Sequence, residues 1–363
     1  MTRPVAFVGP LPPPVNGFSH MCSLMLDLLA RRTTVMVFDR APVMGRPIKT
    51  LAKQTLGPFR FLASCITSRD AALYLALSGG LGQVFDAGYL LLAKLFRQPV
   101  FIHHHSFAYI NHSTPINRCL FALARNDIHI VLSEGMGKAL VQRYRLRESN
   151  VRVVSNAAFF DCIPMENDEV RSSGEVLNIG YLSNISEEKG FGEFFAILDG
   201  LNRRNVRVVG HMAGPVGTAD RARFDELLAQ SVNVRYVGPI YGEAKKRFYQ
   251  NLDIFVLPTR YVNEAEPLVL HEAMQAGVHI IACDRGAIRE ILSHGAGLVF
   301  FSDQIVEQAV DRIVAFSRDP SSLTSARHLS LQQAKRIRAH SSAHLSDVLD
   351  MLTGKLPRSA TQN

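Results

Sequence analysis

Cysteine is scarce in this 363-residue chain. The five cysteines, at 22, 65, 119, 162 and 283, are scattered and form no Cys-x-x-Cys pair. That argues against a structural zinc site and for a reducing compartment. Long hydrophobic runs are also missing. The most apolar stretch, 71–96, is broken by Ser78-Gly79-Gly80, Gln83 and Asp86, whereas a membrane span needs roughly 20 uninterrupted apolar residues. It reads as strand, glycine turn and helix. The start, Met1 to Gly9, has the pattern of a first strand and not of a signal peptide. Acidic residues are few in the first part of the chain. Residues 1–160 carry 18 Lys+Arg against 7 Asp+Glu, a net of +11, while the remainder carries 22 against 25, a net of −3. A basic first half implies an anionic partner such as a membrane surface or a lipid diphosphate. Nucleic acid would fit on charge alone, but no compact Arg/Lys stripe or nucleic-acid motif accompanies it.

What is present is regular alternation. Short apolar runs rich in β-branched residues predict strands near Val5–Val8, Thr33–Phe38, Ala72–Leu77, Val100–His104, Ile128–Leu132 and Val151–Val154. Helical patterns lie between them at Ser19–Ala30, Val84–Leu95, Ile116–Ala124 and Gly135–Tyr144. The polar segment 161–174 reads as a linker. The alternation then repeats, with strands near Val176–Tyr181, Val206–His211, Val234–Val237, Ile254–Leu257, Val278–Ala282 and Gly297–Phe300. Parallel strands joined by helices make an α/β protein with a doubly wound sheet in each half. The expected domains are 1–160, the linker 161–174, a second domain 175–335, and final helices 336–363.

The most informative stretch runs from Asn263 to Met274. An apolar strand, Asp253 to Leu257, ends in Pro258-Thr259. Glu264 follows, then Pro267, which suits a first helical turn, and Glu272 on that helix. A second apolar strand comes after. Such a βαβ unit binds ligands at the carboxyl ends of its strands, where free helix N–H groups can meet an anion. This stretch resembles the Glu-x7-Glu signature of family 4 glycosyltransferases, which are retaining, metal-independent enzymes of the GT-B fold: two facing Rossmann-like domains with a cleft between them. The resemblance places Glu264 at the donor sugar and Glu272 at the nucleotide ribose, with Pro267, Leu268 and Val269 beside the donor.

Other segments are similar to the same family. Gly17 closes a Pro-rich loop after the first strand, where glycine permits φ > 0 and close backbone approach to a phosphate. Ile179 to Gly190 resembles the Gly-Arg-Leu…Lys-Gly element whose Arg and Lys neutralise the donor diphosphate. Lys189 fits the Lys, but Tyr181 stands where the Arg would be, leaving Ser183 and Asn184 as uncharged donors. Ile240 and Tyr241 match a loop bordering the nucleobase. His103-His104-His105 ends a strand. His103 and His105 share one face, and the family's strand-end His at the donor–acceptor junction points first to His105 and then to His104. Ser78, Gly79 and Gly80 either shape an acceptor pocket or make a simple tight turn.

The resemblance implies a retaining hexosyltransferase that moves a sugar from a UDP- or GDP-sugar to a hydroxyl of a glycan or lipid-linked acceptor, in bacterial surface polysaccharide synthesis. No Asp-x-Asp pair occurs, so no metal and no cofactor is expected, and Lys189 with helix N-termini would carry the charge neutralisation. Glu264, His105 and Lys189 are the expected catalytic residues. The expected location is cytoplasmic, peripheral at an anionic inner membrane face. An inactive nucleotide-sugar-binding or scaffold subunit is the alternative, because of Tyr181.

Overall fold

The computed structural model describes residues 2–160 and 174–355. The linker expected at 161–174 lies outside the described residues except for Gly174, as does Cys162. The chain divides into two compact units, with breaks between Phe160 and Asp161 and between Ile337 and Arg338.

In the first unit the apolar runs form β1 (Val5–Gly9), β2 (Val35–Asp39), β3 (Ala72–Leu77), β4 (Val100–His104), β5 (Ile128–Val131) and β6 (Val151–Val153). They pair in parallel in the order β2-β1-β3-β4-β5-β6. Every residue of β1, β3 and β4 is buried. A sheet covered on both faces by helices has no solvent side, which is why β1 and β3 read as continuous apolar runs and not as alternation. The end of the long helix Pro320–Leu352 completes this core: Leu345, Val348, Leu349 and Leu352 pack with Val5, Phe7 and Tyr74. Arg32 pairs with Asp350 at 2.9 Å on the same seam.

One helix has no counterpart among the sequence expectations. Pro47–Thr67 is a 21-residue helix, although Gly57-Pro58 has the look of a breaker. It persists because Gly57 lets the helix close on its neighbour Gly82–Leu95: a Cβ there would stand 2.0 Å from Tyr89 Oη. Phe61 then packs against Phe38 and Tyr89, each with ring centroids 5.4 Å away.

The second unit contains β7 (Leu177–Leu182), β8 (Val208–Ala213), β9 (Val234–Tyr236), β10 (Ile254–Leu257), β11 (His279–Cys283) and β12 (Gly297–Phe300). Their parallel order is β12-β11-β10-β7-β8-β9. The chain winds outward from β7 to β9, then restarts at β10 on the other side of β7. Hydrophobic clusters cover both faces of this sheet. Asp253, at the foot of β10, is tied to the buried Arg327 at 3.1 Å, and Arg327 also donates to the Gly277 carbonyl at 2.8 Å. A buried charge needs such partners, and the pair fixes where β10 starts.

Candidate functional site

The winding direction of the second sheet reverses between β7 and β10. At such a switch point the adjacent loops part and open a crevice beyond the strand ends. The loop after β7 carries Lys189, and the loop after β10 carries Glu264. Lys189 Nζ donates to Glu264 Oε2 at 2.5 Å, and Thr259 Oγ1 donates to the same oxygen at 3.2 Å. The ammonium also lies 4.8 Å from the centre of the Tyr261 ring. Two helices begin beside this pair, Phe191–Arg203 and Leu268–Gln275, and neither has a side-chain cap. Their first-turn N–H groups have no acceptor within the helix. One ammonium and two sets of helix N–H groups therefore border the pair, a setting suited to an anion.

Two glycines register these loops. Gly190 has φ +81° and lies so close to β10 that a Cβ would stand 2.1 Å from the Pro258 carbonyl oxygen. Gly286 has φ +51°, and a Cβ there would stand 2.3 Å from the Glu264 oxygen and 2.4 Å from the Ala265 oxygen. Ala287 N–H donates to the Ala265 carbonyl at 2.8 Å. The Glu264 loop is thus clamped from the β11 side and Lys189 from the β10 side.

Glu272 sits on the helix as expected, with partners the sequence did not reveal. Tyr249 Oη donates to its Oε2 at 3.0 Å, and Lys245 pairs closely with its Oε1. Each oxygen keeps a second lone pair for a ligand hydroxyl. The buried Tyr249 hydroxyl is pushed well above its ordinary pKa by burial and by Glu272. Glu266 and His271 also went unrecognised: both are buried, and His271 Nε2 lies 2.9 Å from Glu266 Oε1. They join the strand-end loop to the helix behind it.

Several expectations are corrected. Pro267 stands at the N-cap, one residue before the helix, with ψ 120° and its ring buried. Only the N–H groups after it, on half-buried Leu268 and Val269, are left to meet a ligand. Ser183 was expected as a free donor, but its hydroxyl donates to Tyr181 Oη at 2.7 Å. Tyr181 is fully buried, donates to the Lys189 carbonyl at 3.3 Å, and so supports the lysine from behind instead of reaching a ligand. Asn184 is exposed. Ile240 is half-buried, lining a surface groove with Val237, Arg247 and Phe248, and Tyr241 is exposed.

In the first unit the winding reverses between β1 and β3, and the loops after β1, β3 and β4 are neighbours. Gly17 opens the helix Gly17–Ala30, capped by Asn16, whose side chain accepts from Ser19 N–H. The positive φ expected of Gly17 is absent. The Asn16–Ser19 capping box already satisfies this turn, so an ordinary helical conformation suffices. Phe18, next to it, packs on His105 at 4.9 Å between centroids. His105 in turn lies 4.1 Å from His103, and its Nε2 is buried with no hydrogen-bond partner among the described residues. Burial lowers its pKa to about 3, so the ring is neutral at working pH.

His104 is the clearest correction. It points to the other face of the sheet, as strand alternation requires, and is fully buried. Its Nδ1 is 2.9 Å from Tyr109 Oη and its Nε2 is 3.0 Å from His129 Nδ1, while Phe121 stacks on the ring. It is a core residue and cannot serve an acceptor. Ser78, Gly79 and Gly80 form a loop held by Asp86, which accepts from Ser78 N–H at 2.9 Å and pairs with buried Arg40. Gly80 takes φ +57°.

The histidine cluster carries a pH prediction. Burial pushes His103 and His104 well below their ordinary pKa, His105 to about 3 and His129 to about 4. The unfolded chain, with histidines near 6.5, binds more protons than the folded one from about pH 4 to 6.5. Stability therefore rises with pH across that window and is lost on acidification. The slope is up to about 1.4 kcal/mol per pH unit for each buried histidine. Urea midpoints should fall from pH 7 to pH 5; equal midpoints would mean these rings are not neutral and buried.

Residues 166–336 match the family described as Glycosyl transferases group 1. An uncharacterized glycosyltransferase of Methanocaldococcus jannaschii is 23% identical over 240 residues, covering 56% of this chain and 59% of that protein. The match thus spans less than two thirds of that relative. Among solved structures, HepE of Anabaena in complex with UDP-glucose superposes with a TM-score of 0.71 at 16% identity, covering 97% of this chain and 100% of that one. Sucrose-phosphate synthase from Thermosynechococcus elongatus gives 0.74 at 15% identity, covering 98% and 100%. At such identities the likeness establishes the fold, which is GT-B.

Proposed function

We propose, for a chain whose residues 166–336 match the family described as Glycosyl transferases group 1, that it moves a hexose from a UDP- or GDP-sugar to an acceptor hydroxyl with retention of configuration. The observation that carries this is the Lys189–Glu264 pair at the β7/β10 switch point, beside two uncapped helix N-termini. A donor diphosphate offers the dianion that this setting lacks. Lys189 would leave Glu264 for the phosphate as charge develops on the leaving group, with the Leu268 and Val269 N–H groups sharing it. Glu264, released from the lysine, would turn to the sugar hydroxyls, and Glu272 would hold the ribose. Neutralisation would need no metal. His105, neutral, would accept or donate one hydrogen bond near the reacting groups. No side chain is positioned as a covalent nucleophile in this scheme. Departure of the diphosphate and front-face attack by the acceptor hydroxyl would share one transition state, and the bound proton of that hydroxyl would pass to the leaving phosphate oxygen.

The acceptor in this reading is a glycan or a lipid-linked glycan of bacterial surface polysaccharide synthesis, met in the cytoplasm at an anionic membrane face. Tyr181, buried where a phosphate-binding Arg would stand, favours a second reading: a nucleotide-sugar-binding subunit without turnover. Nucleotide release from labelled UDP- and GDP-sugars, with lipid-linked oligosaccharide acceptors and EDTA present, separates the two. Acceptor-dependent release that survives EDTA, with the product anomer matching the donor, is the expected result. Rescue by Mn²⁺ alone would overturn metal independence, an inverted anomer would overturn retention, and donor binding without release would establish the second reading.

A further inference from the structure

The helix Pro47–Thr67 presents an apolar face to solvent. Ile48 is 83% exposed, Phe59 70%, Leu51 57% and Ile66 56%. These are not scattered. Ile48, Phe59 and Ile66 are spaced by 11 and 7 residues, close to whole helical turns, so they form one stripe. The opposite face is accounted for by Phe61 and Cys65, buried on the sheet side. Lys49 and Arg60 each follow a stripe residue by one position and so flank it together. Residues 40–69 hold six Lys/Arg and no Asp or Glu. Of these, Lys53 pairs with Asp39 and Arg40 with Asp86, while Arg46, Lys49 and Arg60 form no ion pair among the described residues. An apolar stripe of this size in water is costly, and a basic, acid-free rim selects what covers it.

We infer that this helix lies on a bilayer of anionic phospholipid, with Ile48, Leu51, Phe59 and Ile66 entering the headgroup–acyl boundary and Lys49 and Arg60 meeting lipid phosphates. A basic amphipathic helix with bulky apolar residues binds membranes in this way, by buried apolar area plus attraction to negative headgroups. A second copy of this chain would bring a second basic rim against the first, which repels. An acidic protein partner would satisfy the charge but is not required by the stripe. The inference deepens the membrane-face reading of the acceptor and gives it a surface.

Sedimentation of the full chain with phosphatidylglycerol-containing and pure phosphatidylcholine vesicles tests it, at low and high salt. Binding should favour the anionic vesicles and weaken as salt rises. Phe59→Ser with Ile48→Ser should weaken binding at least tenfold, and Lys49→Glu with Arg60→Glu should abolish the preference for anionic lipid. These side chains are exposed, so UDP affinity and the thermal midpoint serve as controls that the variants are folded. Equal pelleting of wild type and both folded variants would overturn the inference, as would a dimer that the same variants dissociate. Lipid binding is read without turnover: a protein that transfers sugar but ignores lipid refutes this inference alone, and one that binds lipid but transfers nothing refutes the transfer reading alone.

Discussion

Lys189→Ala is expected to lower sugar transfer by roughly 10²–10³-fold, the scale for losing one preorganised charge at a developing anion. The lysine holds its ammonium 2.5 Å from Glu264, and its side chain is only 24% exposed. Removing it also leaves the Glu264 carboxylate, 11% exposed, with the Thr259 hydroxyl as its remaining donor in that pair. A half-buried carboxylate without its cation costs stability, about 1 kcal/mol after screening by solvent. The two consequences can be separated. In Lys189→Ala/Glu264→Ala the unpaired charge is gone, so stability should return toward wild type while transfer stays lost. UDP and GDP affinity by calorimetry should fall in both variants. Full diphosphate affinity in Lys189→Ala would remove this lysine from the site.

Gly286→Ala is expected to damage the same site without removing any polar side chain. The residue holds φ +51°, where a side chain is strained, and its Cβ would overlap two carbonyl oxygens of the Glu264 loop. Strain of about 1–2 kcal/mol adds to overpacking of about 1–3 kcal/mol, and the loop must move to relieve it. A thermal midpoint lower by roughly 4–20 °C should accompany a large loss of donor affinity, at about 2–4 °C per kcal/mol for a unit of this size. Gly45→Ala is the control. Its φ is +66° but nothing lies within 4 Å of the added Cβ, so it should show the strain alone. If Gly286→Ala matched Gly45→Ala in both midpoint and nucleotide binding, the clamp would have no role.

Both variants act on contacts between segments far apart in the chain, and this marks where the sequence stops being informative. The strands were legible because parallel strands buried on both faces tend to be apolar along their whole length, as β1 and β3 are. Glu264, Pro267 and Glu272 were legible because they lie within one βαβ unit, where strand end, loop and helix start follow in order. The polar environment of Glu272 was not, since Tyr249 and Lys245 come from the preceding helix and carry no local signal.

His104 and His105 show the same division on a smaller scale. Alternation along β4 states that they face opposite ways, but not which face holds a core. The packing of Phe121, Tyr109 and His129 decided that for His104. Tyr181 is similar: its place in the motif suggested an absent arginine, and its burial under Ser183 and Lys189 showed a support. The helix Pro47–Thr67 had no counterpart in the sequence reading; it holds Gly57-Pro58, and Gly57 lets it approach Tyr89 closely. By itself the sequence determined the alternation of elements, the charge asymmetry and the residues of the Glu264–Glu272 unit, because these depend on neighbours in the chain. Only the tertiary structure decided that Lys189 meets Glu264, because that contact depends on β10 returning to the side of β7, a choice of strand order that no local pattern encodes.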